Sequence, residues 1–83
     1  MKIKLLKHIE DQANERGISI KDVKETLSNP EQIVPDSGNL KVAQKKYYED
    51  NKEHLIRVIF REEKSLRIGV TVYKTSKINK YWV

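Results

Sequence analysis

The stretch that decides the fold is Leu66–Lys74, which reads LRIGVTVYK. Leu, Ile, Val and Val alternate along it with Arg, Gly, Thr and Tyr, and this two-residue period is typical of a strand with one buried face. The apolar set predicts the core side, whereas the other set offers a cation, a hydroxyl and a phenol. No acidic residue occurs from Lys64 to the end of the sequence. If the chain binds a polyanion, we expect it to bind here.

Length and composition place the chain among small globular proteins. Its 83 residues predict one domain, 1–83, with a small core. The chain is 37% hydrophobic and 35% charged, but its apolar residues recur in patterns that a disordered chain would not need. No run approaches the roughly 20 apolar residues of a membrane span, and no signal peptide is visible. Cysteine is absent, so we expect a cytoplasmic protein without disulfides, thiolate chemistry or a membrane partner.

The net charge of +5 is concentrated in the second half of the chain. Residues 1–39 carry six basic and seven acidic side chains, whereas residues 40–83 carry eleven basic and five acidic ones. Such an imbalance favours an anionic partner for the C-terminal half, with nucleic acid first. The alternative is that the lysines only keep a small protein soluble and its sheet edges unpaired.

Two amphipathic segments predict helices in the N-terminal part of the chain. Leu5–Arg16 carries apolar residues at positions i, i+4 and i+8, and Gly17 follows as a helix C-cap. A second helix begins after Ser19, a natural N-cap, and ends before Pro30, because the residue that precedes proline avoids the α region. Residues 31–39 are rich in turn residues and predict a connection.

From residue 40 onward the period changes to two. The segments Leu40–Tyr48, His54–Arg61 and Leu66–Lys74 predict three strands joined by short turns, which form an antiparallel meander. We therefore predict an α+β fold in which two N-terminal helices pack on an antiparallel sheet of three or four strands. A short C-terminal helix or tail is expected at Ser76–Tyr81, with the last two residues docked on the body.

The register of the last hairpin decides which side chains share the outer face of the sheet. If Phe60 and Ile68 point inward together, the loop must hold an odd number of residues, three or five, since residues opposite each other share a face. The outer face would then gather a basic and polar set, namely Arg57, Arg61, Arg67, Thr71 and Tyr73. Clustered arginines are costly unless an anion or an acid lies among them.

Several kinds of site are excluded by what the sequence lacks. The two histidines, His8 and His54, match no metal motif, so we predict neither a metal nor a cofactor. Nothing resembles a serine triad, a glycine-rich phosphate loop or a pair of carboxylates for metal-assisted chemistry. Cations and phenols remain, and these side chains bind phosphates and stack on bases.

Motifs at both ends of the chain resemble a prokaryotic family of small proteins of unknown function. The chain reads His8-Ile9, Glu15-Arg16-Gly17-Ile18-Ser19, Thr71-Val72-Tyr73-Lys74-Thr75-Ser76-Lys77 and Lys80-Tyr81. The family pattern is H-A-x-x-R-x-x-x-R-G-I-S … T-V-Y-x-T-S-K-x-x-K-Y, and this chain departs from it at Ile9 and Gln12. More distantly, the segments 15–23 and 29–30 resemble BrnT-type toxins of toxin–antitoxin systems, which are similar to RelE-type ribonucleases.

This resemblance implies a RelE/BrnT-like fold and a metal-independent endoribonuclease, in which the ribose 2′-hydroxyl attacks the adjacent phosphate. It implies RNA as the substrate and a cognate antitoxin protein as a partner. The candidate catalytic residues are Arg57, Arg67, Tyr73, Lys74 and His8. The candidate RNA-binding residues are Arg61, Thr71, Thr75, Ser76, Lys77, Lys80 and Tyr81.

Two alternatives to an enzyme stay open. The same basic surface suits an RNA- or DNA-binding module without chemistry, and an exposed sheet with a tail suits a small protein-interaction domain.

The BrnT-type toxins carry a histidine before the glycine, where this chain has Arg16. The identity of the general acid and base therefore stays open, as does the oligomeric state.

Overall fold

The computed structural model describes residues 2–83, and within them it contains one five-stranded sheet and three helices. In chain order the elements are β1 (Lys2–Leu5), α1 (Lys7–Glu15), α2 (Ile20–Ser28), β2 (Gln32–Pro35), β3 (Lys41–Glu49), β4 (Lys52–Glu63), β5 (Leu66–Thr75) and α3 (Ile78–Tyr81). The strand order is β1-β5-β4-β3-β2. The helices α1 and α2 pack on what we call the helix face of the sheet, and α3 with the residues after it crosses the opposite, outer face.

The predicted architecture of two helices on an antiparallel sheet of three or four strands is wrong. The three predicted strands are present as β3, β4 and β5, and they form the expected meander. The sheet nevertheless has five strands and is mixed, because β1 runs parallel to β5. The other added strand, β2, lies in the segment predicted as a connection, and it pairs antiparallel with β3.

Strand β1 forms because lysine and apolar residues alternate along it. Ile3 and Leu5 pack against the core, whereas the two lysines are exposed. Leu5 lies opposite Gly69 in the parallel register, and the Leu6 N–H continues the pairing to the Gly69 carbonyl at 3.5 Å. Parallel neighbours need a crossover connection, and here all the other elements of the sheet and both α1 and α2 separate β1 from β5 in sequence.

Both predicted N-terminal helices are present, with the predicted signals at their ends. The Ser19 hydroxyl caps α2 by accepting a hydrogen bond from the Asp22 N–H at 3.1 Å. Gly17, after α1, has a φ of +66°, a conformation that glycine adopts without a steric penalty. The apolar faces of the two helices contribute four fully buried residues to the core, namely Ile9, Ala13, Val23 and Leu27. None of the helices within residues 2–83 is long and apolar enough to cross a membrane.

The hairpin between β4 and β5 has an even loop, so the predicted odd loop is wrong. Glu63 lies opposite Leu66, which leaves Lys64 and Ser65 as a two-residue loop. Lys64 has a φ of +57°, and two-residue hairpin loops commonly need this left-handed conformation. Arg61 consequently lies opposite Ile68, and both side chains point to the outer face.

Strand β5 also carries a β-bulge at Val70. The register shifts between Ile59, which lies opposite Thr71, and Phe60, which lies opposite Gly69, so Val70 has no partner. Because side chains alternate between faces, one extra residue exchanges the two faces of all that follows. The two-residue loop already places Phe60 opposite Gly69 on the helix face and not, as predicted, with Ile68. The bulge then makes Val72, and not Thr71, the next residue of β5 on that face.

Gly69 allows side chains from α1, α2 and β1 to pack closely over strand β5. A Cβ atom at this position would lie 3.0 Å from Ile9 Cδ1, 3.1 Å from Leu5 Cδ2 and 3.4 Å from Leu27 Cδ2. The first two distances are shorter than ordinary carbon–carbon contacts. Three elements thus meet over a residue without a side chain.

We expect Gly69→Ala to lower the free energy of unfolding by about 1–2 kcal/mol, because it overpacks this contact. Urea denaturation followed by circular dichroism measures the change. Ile9→Val removes the nearest atom, so the double variant should lose less stability than the two single variants together. Strict additivity of the two changes would contradict the proposed contact.

Candidate functional site

Arg57 lies at the centre of a polar cluster on the outer face. It faces Gln44 of β3 on one side and Tyr73 of β5 on the other. The Arg57 Nε donates to Gln44 Oε1 at 3.0 Å, and Nη1 donates to the Tyr73 hydroxyl. The C-terminal segment adds Tyr81, whose ring centroid lies 4.1 Å from the guanidinium carbon. We call these four residues, together with Gln32, the Arg57 cluster.

Two glutamine side chains hold the C-terminal residues on the outer face. Gln44 Nε2 donates to the Tyr81 carbonyl at 3.1 Å and to Gln32 Oε1 at 2.8 Å. The Gln32 amide then pairs with the backbone of Val83, because Nε2 donates to the carbonyl at 2.7 Å and Oε1 accepts from the N–H at 3.2 Å. Beside them, Trp82 packs against Lys46, whose ammonium lies 4.0 Å from the ring centroid. The predicted docking of the last two residues is confirmed.

The charge of Arg57 has no acidic partner. No carboxylate in residues 2–83 forms an ion pair with it. The side chain is half-buried, and within the described chain no group accepts a hydrogen bond from Nη2, which keeps contact with solvent. A partly desolvated cation without a counter-ion is costly, although stacking on aromatic rings offsets part of this cost. The free edge of the guanidinium suits a phosphate or carboxylate oxygen.

The two tyrosines of the cluster have pKa values that shift in opposite directions. Burial raises the pKa of Tyr73 above the usual tyrosine value, against the opposing effect of Arg57. The pKa of Tyr81 is lowered, first by hydrogen bonding with Tyr73 and further by the nearby charges of Lys80 and Arg57. The two rings meet edge to face, with centroids 6.2 Å apart. Neighbouring groups whose pKa values are driven apart are suited to act as an acid and a base.

Two of the predicted catalytic cations lie on the helix face, away from this cluster. The even loop turns Arg67 toward α2, where Nη1 donates to the Leu27 carbonyl at 2.8 Å. The guanidinium carbon also lies 5.5 Å from the centroid of the Phe60 ring. Lys74 forms an ion pair with Glu49 at 3.4 Å. Arg67 therefore caps the C-terminal end of a helix, where a cation is favourable, and does not share the outer face with Arg57 as predicted.

Three further candidates also lie apart from the Arg57 cluster. His8 is exposed on α1. Arg61 is on the outer face near the hairpin loop, where it pairs with Glu63 at 3.3 Å. The Thr71 hydroxyl donates to the side-chain oxygen of Gln12 in α1. Nowhere in residues 2–83 do three or more His, Asp or Glu side chains form a group that could hold a metal ion.

The remaining candidates follow the end of β5. The Thr75 hydroxyl accepts a hydrogen bond from the Lys77 N–H at 3.1 Å, and Ser76 is exposed between them. Lys80 lies in α3, with its ammonium 5.4 Å from the centroid of the Tyr81 ring. Of the predicted site residues, the structure thus brings Arg57, Tyr73 and Tyr81 together, with Lys80 beside them.

Reasoning from the sequence missed Gln44 and Gln32. An amide in the middle of a strand, directly after the buried Val42 and Ala43, was a weak signal. Its partner could not be found in this way, because Gln32 begins a strand of four residues that was predicted as a loop.

The comparison with known families places the chain in one of them. Residues 5–75 match the family described as "Domain of unknown function (DUF4258)". This match covers most of the chain, so the protein belongs to that family, which confirms the predicted membership in a family of unknown function. No curated protein and no solved structure matches the chain. The matched segment includes Arg57 and Tyr73, and it ends before Tyr81.

Tyr73→Phe is expected to raise the pKa of Tyr81 toward the usual tyrosine value, because hydrogen bonding with Tyr73 is the main cause of the lowered pKa. Titration followed by tyrosinate absorbance should show one phenol of the unsubstituted protein that ionises at lower pH than the others. Tyr81→Phe should remove this component and so assign it. Tyr48→Phe is the control, since its side chain is 79% exposed and lies outside the cluster. A low-pH component that survives in Tyr73→Phe would contradict this prediction.

Proposed function

We propose that the protein is a toxin-like endoribonuclease, which binds and cleaves RNA at the Arg57 cluster without a metal ion. The observation that carries this proposal is the half-buried Arg57 guanidinium, which has no carboxylate partner and stacks on a phenol. The resemblance of residues 15–23 to BrnT-type toxins, and through them to RelE-type ribonucleases, supports the class of reaction. By the same resemblance, we propose an antitoxin protein as the partner of the chain.

The surroundings of Arg57 suit a single RNA strand. A phosphate oxygen bound at Arg57 Nη2 would place the flanking nucleotides near Lys80 and Trp82, on the segment that crosses the outer face. Cations track the backbone of single-stranded RNA, while aromatic rings stack on its unpaired bases. Lys46, which lies over Trp82, has no carboxylate partner in residues 2–83 and adds a positive charge.

The proposed reaction uses the two phenols as base and acid. The ribose 2′-hydroxyl attacks the adjacent phosphorus and passes its proton to the Tyr81 phenolate, whose formation is favoured by the lowered pKa. Arg57 stabilises the negative charge that develops on the phosphate oxygens. The bond to the 5′-oxygen breaks, and this oxygen takes a proton from Tyr73, which stays protonated because its pKa is raised. The products are a 2′,3′-cyclic phosphate and a 5′-hydroxyl.

Cleavage of a single-stranded RNA should therefore proceed in EDTA and leave 2′,3′-cyclic phosphate ends. Arg57→Gln is expected to lower the rate by about 10²–10³-fold, the usual effect of losing one donor to a developing oxyanion. Arg16→Gln is the matched control, because it removes the same charge from a residue that donates to the Val72 carbonyl at 2.6 Å. Equal cleavage rates in the two variants, or no cleavage by the unsubstituted protein, would contradict the proposal.

The salt dependence of binding separates an enzyme from a module that only binds. With an RNA that carries a 2′-deoxyribose at the cleavage position, log Kd should vary linearly with log salt, because binding releases counterions. Arg57→Gln should reduce this slope by about 0.7, the contribution of one phosphate contact on a single strand. Arg16→Gln should leave the slope unchanged. A steep slope without cleavage would favour the binding module, and no affinity at all would favour a protein-interaction domain.

A further inference from the structure

We propose that Gln44 is a positioning residue, whose single side-chain amide holds the Arg57 guanidinium and the backbone of Tyr81 in one arrangement. This inference deepens the function proposed above and rests on it for the role of the site. Gln44 contacts neither reacting phenol through its side chain. It acts through Arg57 and through the main chain of the C-terminal segment.

The hydrogen bonds of the Gln44 amide join three separate elements. The side chain is 0% exposed, so each polar atom that lacked a partner would be costly. Its oxygen accepts from Arg57 in β4, while its two N–H groups donate to Gln32 in β2 and to the Tyr81 carbonyl after the sheet. Both donors of the amide are thus used, and each points to a different segment of the chain.

The chemistry of the partners allows only one orientation of this amide. An arginine side chain can only donate hydrogen bonds, so the amide oxygen must face Arg57. A backbone carbonyl can only accept, so the amide nitrogen must face Tyr81. A rotation of the Gln44 amide by half a turn would break both contacts at once, which makes glutamine the residue type that this position requires.

This amide sets the geometry between the cation and the phenol. Gln44 fixes Arg57 at Nε and Tyr73 fixes it at Nη1, so the guanidinium cannot rotate and Nη2 is left for a ligand. The same amide ties down the Tyr81 backbone, whose ring then stacks 4.1 Å from the guanidinium carbon. Of the two fully buried polar side chains within residues 2–83, the other, Thr26, serves the helix face, where it bonds the Asp22 carbonyl and the Tyr47 hydroxyl.

Gln44→Leu tests the proposal, because it keeps a side chain of similar size and removes all three hydrogen bonds. We expect the phenol with the lowered pKa to titrate closer to the usual tyrosine value in this variant, as followed by tyrosinate absorbance. We also expect the affinity for the 2′-deoxy-substituted RNA to fall about tenfold, an ordinary effect of losing hydrogen bonds to a charged group. Gln12→Leu is the matched control, since this amide bonds Thr71 and the Val72 N–H from α1, and it should leave both readouts unchanged.

Gln44→Glu separates the two contacts of the amide. The introduced carboxylate still accepts from Arg57, but it neutralises the guanidinium and has no N–H for the Tyr81 carbonyl. The affinity for the RNA should therefore fall further than in Gln44→Leu, and the low-pH phenol should disappear. If Gln44→Glu bound the RNA as tightly as the unsubstituted protein, the proposal would be overturned. The affinity would then not depend on how residue 44 holds the charged Arg57, and the role of Gln44 would be only structural.

The absorbance titration needs no RNA, so the two proposals can fail separately. If the unsubstituted protein neither binds nor cleaves RNA, the proposed function fails, while the titration still decides whether Gln44 positions the pair. A folded Gln44→Leu variant that retains its low-pH phenol would overturn the positioning role. Should that variant not fold, Gln32→Leu on the edge strand β2 replaces it. Gln32→Leu must raise the pKa of the same phenol as well, by a smaller amount than expected for Gln44→Leu. An unchanged titration would overturn the positioning role of Gln44.

Discussion

The unpaired residue that β5 carries opposite Ile59 and Phe60 decides how the two faces of the sheet are used. On the N-terminal side of Val70, the side chain of Arg67 and the Cα of Gly69 face the helices. On its C-terminal side, the next residue that faces the helices is Val72, which lies in the core. Without the extra residue the alternation would turn Val72 outward and Tyr73 toward the helices. The two-residue loop places Gly69 under α1, and the bulge then places the Tyr73 phenol beside Arg57 in the same strand. Such re-aiming of a side chain is a common role of β-bulges.

The outer face has an unusual composition because the bulge and the C-terminal segment act together. A sheet with one covered face normally presents solvated polar residues on the other. Here α3 and the residues after it cross that face, so Gln44 becomes fully buried and Arg57 half-buried. Buried polar groups such as the Gln44 amide must then form hydrogen bonds within the protein. The resulting network gives both the nitrogen and the oxygen of the Gln44 amide partners and leaves one edge of the arginine without one.

The sequence predicted the local features of this fold, and it failed where distant segments meet. The caps at Ser19 and Gly17 and the meander of β3, β4 and β5 follow from neighbouring residues, and these predictions are confirmed. Strand β1 pairs with the last strand in the chain, and β2 is only four residues long. Neither pairing has a signal within a short window, because the stabilising partners lie far away in sequence. The fold class was wrong for this reason.

The candidate site was predictable to the same degree. Alternation predicted that Arg57 and Tyr73 lie on the sheet, and the assumption of an odd hairpin loop placed Arg61 and Arg67 with them on one outer face. The two-residue loop turned Arg67 to the other face, and no pattern of apolar residues reveals a loop register of this kind. Gln44 and Gln32 connect the strands to the C-terminal segment. Single glutamines do not change the alternation of apolar residues, so the sequence pattern did not indicate them.

The Arg57 cluster consists of two parts that the chain builds independently. Arg57, Gln44 and Tyr73 stand on central strands within the segment that matches the family, so the positions of the cation and of one phenol in this chain depend on the sheet alone. Tyr81 lies beyond that segment and reaches the cation only because the amides of Gln44 and Gln32 bind the backbone around it. The proposed anion binding therefore depends on the sheet, whereas the proposed proton transfer to the Tyr81 phenolate depends on the docking of the C-terminal segment. Loss of that docking would separate binding from chemistry within an intact fold.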